Sequence, residues 1–239
     1  MSAEHSAVRY ERLETLVSSP EADLTWLTGK RERAERDRLT AGTRRDTWAA
    51  GRILCRRLLR DCGLVSDSQA DGLQILSRNE LGQSDRPTVF LHGVRHPVWL
   101  SISHSSRGAL VALSTSVRVG VDLVDLQQLP KGSLWIWLTA EERAWIPRDD
   151  FRQQATVWAI KEAVYKAVNT GDAFAPAGIN IFSDGSRYTC AYRGRLLASE
   201  CTIQVREIDG HLTAVAESLV PPEIPSNPCV DHRQKNESW

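Results

Sequence analysis

Three runs in close succession between Val98 and Val124 constrain the fold most: "VWLSIS", "ALVALS" and "VRVGVDLV". The first alternates with a period of two. Val98, Leu100 and Ile102 face one way, and Trp99, Ser101 and Ser103 face the other. The third does the same, with Val117, Val119, Val121 and Leu123 on one face and Gly120, Asp122 and Val124 on the opposite one. Only "HSSRG" and a few further residues separate the runs, so they read as antiparallel strands joined by tight turns.

Helical phasing flanks these strands on both sides. Upstream, residues 30–62 read as helical. In "RRDTWAAGRILCRRLLRDCG", Trp48, Leu54 or Cys55, and Leu58 or Leu59 recur at helical spacing, with Gly63 placed as a C-cap. "RNELGQSDRPTVFLHGVRHP" between them is turn-rich. Downstream, "LTAEERAW" opens a helix, with Thr139 and Glu142 at capping-box spacing. A longer helix covers roughly residues 150–169, and strands follow at "GINIFS", "RYTCAYR", "CTIQVREI" and "HLTAVAES". Helix first and antiparallel strands after, twice, predicts an α+β chain of two similar lobes. Each is a long helix packed on a small antiparallel sheet, the two related by a pseudo-twofold axis with the active site in the cleft. The boundaries read as 1–117 and 118–220, followed by a proline-rich, disordered tail at 221–239.

Composition narrows the function. Of the 239 residues 41% are hydrophobic, enough for a core of useful size. No apolar run reaches the ~18 residues of a membrane helix, and the acidic N-terminus lacks a signal-peptide core, so no membrane association is expected. Five scattered cysteines without a CxxC pair suit free thiols in the cytoplasm. Thirty basic residues balance thirty acidic ones, which gives no bulk affinity for nucleic acid. The balance is uneven, though: Lys30 to Arg60 holds eleven Lys/Arg against four Asp/Glu. Such a block is either a solvated helical face or a site for a compact polyanion such as a nucleotide phosphate.

Four constellations carry chemistry. In "WAIKEAVYKA", Ile160, Ala163, Val164, Ala167 and Val168 form an apolar face, while Lys161, Glu162 and Lys166 form a charged one flanked by Trp158 and Tyr165. The stripe is either a solvated surface with a Glu162–Lys166 pair or a polar interface holding a metal-bound polyphosphate. Asp122 sits in an apolar strand, where an unpaired carboxylate is costly. Gly120, two residues before it, leaves room for a ligand to approach. "SISHSS" presents His104 with Ser103 and Ser105, for a turn or for a phosphate, and "GQSDRP" presents Arg86 in a Gly/Pro loop.

Taken in order, the Arg-rich helix, the Arg-Pro loop, Ser103-His104-Ser105, Gly120-x-Asp122 and the W-x-x-K-E-x-x-x-K of Trp158, Lys161, Glu162 and Lys166 resemble the 4′-phosphopantetheinyl transferase family. The likeness is to its larger, two-lobed, surfactin-synthetase-activating type, over roughly residues 30–215. The resemblance implies transfer of the phosphopantetheine arm of coenzyme A to a serine of an apo acyl or peptidyl carrier protein, with Mg²⁺ required. It implies a monomer acting in fatty-acid, polyketide or nonribosomal-peptide synthesis. Carried over residue by residue, Asp122 and Glu162 resemble the Mg²⁺ ligands, and with Lys166 they form the catalytic set. Ser103, His104, Lys161, Lys166 and Arg86 resemble coenzyme A ligands, with Arg44, Arg45 or Arg52 at the 3′-phosphate. The pattern departs at Val124, where the family has a glutamate, and at Gly82–Pro87, a loop with extra residues. A water in place of the lost carboxylate, or help from Glu142, would give weaker metal binding rather than inactivity. The alternative is a divergent member that binds coenzyme A or a carrier protein without turnover.

Overall fold

The computed structural model describes residues 6–19, 21, 27, 29–39, 42–79, 82–129, 134–168 and 173–219. The tail expected to be disordered at 221–239 lies outside them, as does Cys229.

A strand, β1 (Ala7–Arg12), and three helices, α1 (Leu13–Val17), α2 (Lys30–Asp37) and α3 (Thr43–Asp61), begin the chain. Three strands follow, β2 (Leu73–Arg78), β3 (Ser84–Leu91) and β4 (Val94–Arg95), and then the hairpin of β5 (Trp99–His104) and β6 (Gly108–Ser114). The order then runs again. A strand, β7 (Arg118–Asp125), precedes a short helix, α4 (Ala140–Trp145), and a long one, α5 (Phe151–Val168). The strands β8 (Ile179–Ser183), β9 (Tyr188–Tyr192) and β10 (Arg195–Leu196) are followed by the hairpin of β11 (Cys201–Ile208) and β12 (His211–Ser218). The four antiparallel sheets among the described residues repeat as well. β1-β6-β5 has its counterpart in β7-β12-β11, and β2-β3-β4 in β8-β9-β10.

The helix expected over residues 30–62 is two helices. The first ends at Asp37 and the second starts at Thr43, just after Gly42, which takes a φ of 89° that a side chain rarely adopts. Gly63, at φ 67°, ends the second one as expected, with Leu64 N–H returning to the Leu59 carbonyl. Arg86 and Pro87, expected in a loop, lie in strand β3. Just before them, Asn79 N–H donates to the Gln83 carbonyl and Gly82 N–H to the Asn79 carbonyl.

Each long helix covers one sheet over its own core. Ile53, Leu54, Leu58 and Leu59 of α3 pack with Leu100 and Val111. Ile160, Ala163, Val164 and Ala167 of α5 pack with Ala214, Ala216 and Ile181. A third cluster joins them: Leu110 and Ala112 of β6 against Val119, Val121 and Leu123 of β7. The alternation read in "VRVGVDLV" is therefore kept, with its valine face at the junction and Asp122 facing α5. Burying each Val or Leu there contributes about 1.5–3 kcal/mol.

Across this junction β5 and β7 are both edge strands, and serines bridge them. Val121 N–H donates to Ser101 Oγ at 3.0 Å and Leu123 N–H to Ser103 Oγ at 3.2 Å. A hydroxyl thus stands where a strand carbonyl would otherwise accept. The edges of β2 and β8 are closed by carboxylates instead. Glu32 Oε1 accepts from Ile75 N–H, and Glu35 accepts from Ser77 N–H. In the second half Glu142 Oε1 accepts from Ile181 N–H. Each of these carboxylates is neutralised from the long helix: Glu32 by Arg56, Glu35 by Arg52 and Glu142 by Lys161.

Candidate active site

The site assembles where strand β7 crosses helix α5. Their approach is set by Gly120. A Cβ built there would lie 2.0 Å from the Ala163 carbonyl oxygen and 2.6 Å from the Ala167 nitrogen. The space expected to admit a ligand at Gly120 is filled by the helix backbone. The missing side chain brings α5 against β7 rather than opening a pocket.

That contact places Glu162 and Lys166 beside Asp122. Lys166 Nζ donates to Asp122 Oδ1 at 2.8 Å and to the Val121 carbonyl at 3.0 Å, and it stands 3.7 Å from Glu162 Oε2. Ser103 Oγ donates to the same Asp122 oxygen at 2.8 Å. Burial raises the Glu162 carboxyl above its ordinary range; Lys166 opposes this and Asp122 adds to it. Two carboxylates that share one ammonium already accommodate positive charge between them. Two hard oxygen donors, completed by water and phosphate oxygens, match the habit of Mg²⁺, so these residues fit that ion. The third family position contributes nothing: Val124 packs on the second core, and Asp125 is held bidentately by Arg107 at 2.7 Å. Among the described residues no group of three or more His, Cys, Asp or Glu side chains converges on a metal position.

Three expected ligands have other duties. Lys161 is fully buried. Its ammonium meets Glu142 Oε2 at 2.7 Å and the carbonyls of Trp137 and Pro176. It lies one residue off the Trp158–Glu162–Lys166 stripe, a turn of about 100° that sends it into the core. Glu142 is buried with it and completes the Thr139 capping box, so it does not assist a metal. Arg52 is buried under the Trp48 ring, 4.5 Å from its centroid, and bonds Glu35 and Ser77. Ser103 is buried as well, with its proton on Asp122, so it positions a carboxylate rather than facing a phosphate.

Of the remaining expected residues, His104, Arg44 and Arg45 are exposed and Arg86 is half-buried. His104 ends β5 and is exposed. Crowding by surrounding protein, then the positive Lys166 and Arg52, hold its imidazole below the usual range. Arg44 and Arg45 are exposed on the first turn of α3. Arg86 lies 5.3 Å from the Trp99 ring centroid, as does Arg118, and Tyr165 is close enough to act on its charge. Burial, then Arg118, lower its guanidinium to about 10, still charged at neutral pH.

Trp158 and Tyr165 belong to a row of rings that the sequence did not disclose. Trp137 stands 6.0 Å from Trp158, Trp158 lies edge-on to Phe174 at 5.6 Å, and Phe174 lies 5.0 Å from Tyr165. The row borders Glu162 and Lys166 along the partly exposed side of α5. Next to Trp137, Ile136 is 64% exposed, while Trp135 and Trp145 pack on the core.

A strand carboxylate and a helix carboxylate thus converge on one lysine on an α+β scaffold. Residues 118–216, from the start of β7 nearly to the end of β12, match the family model of the 4′-phosphopantetheinyl transferase superfamily. The superfamily performs phosphopantetheinyl transfer with coenzyme A and carrier proteins in general. No curated protein matches the chain.

Proposed function

We propose that the chain transfers the 4′-phosphopantetheine arm of coenzyme A to a serine hydroxyl of an apo carrier protein. The observation that carries this reading is the convergence of Asp122, Glu162 and Lys166 inside the matched domain. In the reaction the serine oxygen bonds to the phosphorus bearing pantetheine. The bond from that phosphorus to the bridging oxygen breaks, and adenosine 3′,5′-bisphosphate leaves.

Asp122 and Glu162 would hold Mg²⁺, which when bound supplies charge neutralisation at the pyrophosphate. Glu162 takes the serine proton, a task suited to a carboxyl raised by burial. Lys166, oriented by Asp122 and the Val121 carbonyl, contacts a phosphoryl oxygen and protonates the leaving group. His104 and Arg86 bind phosphate at the same junction, and Arg44 and Arg45 reach the 3′-phosphate. The two halves, divided near residue 117, act as pseudo-twofold lobes of the larger type, and coenzyme A lies in the cleft between them. Ile136 and Trp137 offer the apolar surface on which the carrier helix docks.

The test is the intact mass of an apo carrier protein after incubation with this protein, coenzyme A and Mg²⁺. A gain of one phosphopantetheine, lost with EDTA and with Glu162→Ala, is the expected result. No gain across acyl and peptidyl carriers, with coenzyme A still bound, would establish the non-catalytic alternative and point to Val124 as its cause.

A further inference from the structure

The loop that carries His104 is tied down from a direction the motif does not suggest. β5 ends at His104, which pairs with Ala109 of β6, and Ser105–Gly108 close the turn. Ser105 Oγ accepts from Arg107 N–H and Gly108 N–H, both at 3.1 Å. Both of its lone pairs are then used, so its single proton is directed to His211 Nε2, 2.9 Å away on β12. The other ring nitrogen, Nδ1, therefore carries hydrogen and faces Tyr10 Oη at 3.3 Å. Tyr10 in turn packs against Gly108, where a Cβ would sit 2.6 Å from its ring.

The pair joins the two halves of the molecule. Ser105 belongs to the β5–β6 turn, His211 opens β12, and Tyr10 comes from β1. His211 is 1% exposed. Burial lowers its imidazole below the usual range, with Asp125 opposing and Arg107 reinforcing, so it stays neutral and accepts the Ser105 proton. The charges around it are already paired: Arg107 with Asp125, and Arg12 with Asp209. A ring protonated at Nε2 would bring a third donor to a hydroxyl with no lone pair left, so acid opens the joint.

We infer that Ser105 and His211 are positioning residues that hold the His104 loop in register with the Asp122–Glu162–Lys166 site. The inference rests on the proposed function, because it assigns His104 to the coenzyme A phosphates. Ser103 and Ser105 then share one arrangement. Each sends its proton across the junction, to Asp122 and to His211, and His104 between them is near enough to the site for the Lys166 and Asp122 charges to act on its ring.

The test measures coenzyme A affinity by calorimetry together with kcat and KM, in proteins confirmed as folded by circular dichroism. Ser105→Ala and His211→Phe should each weaken coenzyme A binding about tenfold, the effect of one well-made hydrogen bond. KM for coenzyme A should rise with kcat within about twofold of the wild type, and the double variant should lose no more than either single one. Ser105→Thr and His211→Gln keep a donor and an acceptor, respectively, and should restore binding. They also serve as the variants to compare if the larger substitutions do not fold. In wild type, affinity should fall as pH drops below the ordinary histidine range, more steeply than in His211→Gln. Full affinity in folded Ser105→Ala and His211→Phe would overturn this inference and leave the proposed function standing. A wild type that binds no coenzyme A would overturn the proposed function and this inference with it.

Discussion

Replacing Gly120 with alanine tests the reasoning about the site most directly. The added Cβ would meet two backbone atoms of α5, the Ala163 oxygen at 2.0 Å and the Ala167 nitrogen at 2.6 Å. Backbone cannot rotate aside as a side chain can. To restore a contact of 3.4 Å the helix must retreat by about 1.4 Å, against a core in which Ala163 and Ala167 are fully buried. Overpacking of this kind costs about 3 kcal/mol, the upper end of the usual range. In a chain of this size that lowers Tm by about 6–12 °C. The functional loss should exceed the stability loss. Glu162 and Lys166 immediately precede the two displaced alanines, while Asp122 stays on the strand, and a misplacement of about 1 Å at reacting groups costs about 100-fold in rate. Urea unfolding followed by far-ultraviolet circular dichroism gives the first quantity. Transfer of phosphopantetheine at a temperature where the variant is folded gives the second. A Gly120→Ala protein within about 0.5 kcal/mol of wild type and fully active would refute the claim that strand–helix contact sets the site.

Three further outcomes follow from the same geometry. Lys161→Met leaves the Glu142 carboxylate buried without its cation and should cost about 3–5 kcal/mol, most of it recovered when Glu142→Gln is added; thermal unfolding of the single and double variants decides it. Because Glu162 is raised above the ordinary carboxyl value of 4.5 and, in the proposed reaction, works as a base only when ionised, kcat/KM should climb as pH rises through that raised value. Glu162→Gln should remove this limb and lower the rate by about 10²–10⁴-fold, and the wild type should lose stability relative to the variant over the same rise in pH. Val124→Glu returns a third carboxylate to the face that holds Asp122 and should tighten Mg²⁺ binding by about tenfold or more, read by titration calorimetry; an unchanged metal dependence would show that position 124 does not reach the ion.

The strands around the site were legible because their alternation is strict. "VRVGVDLV" keeps valine on the junction face and Asp122 on the other, and "VWLSIS" keeps Leu100 in the core and its serines toward β7. Thr139 and Glu142 announced α4 through a capping box that forms as spaced. β1, "AVRYER", escaped notice because it is short, polar and on an edge, and its partner β6 lies about a hundred residues away. Lys161 was misplaced because helical phase locates a residue only to within a side chain's reach. A lysine at the margin of a stripe goes wherever a buried carboxylate waits, and Glu142 is remote in sequence. Arg52 shows the same thing: its attraction to Glu35 and Trp48 is decided by tertiary packing, which no local pattern encodes. His211 left no signal beyond an ordinary hairpin turn at Asp209 and Gly210.

The carboxylates that close β2 and β8 also bear on how this molecule behaves in a crowd. The four three-stranded sheets among the described residues present many strand edges, and each is a template on which another chain could extend a sheet. At Ile75, Ser77 and Ile181 the outward N–H groups are already occupied by glutamate oxygens, and at Val121 and Leu123 by serine hydroxyls. An incoming strand would have to displace a charged side chain held by its own buried cation before it gained one ladder bond. The groups that shape the site's surroundings thus also protect the sheets from growing into fibres.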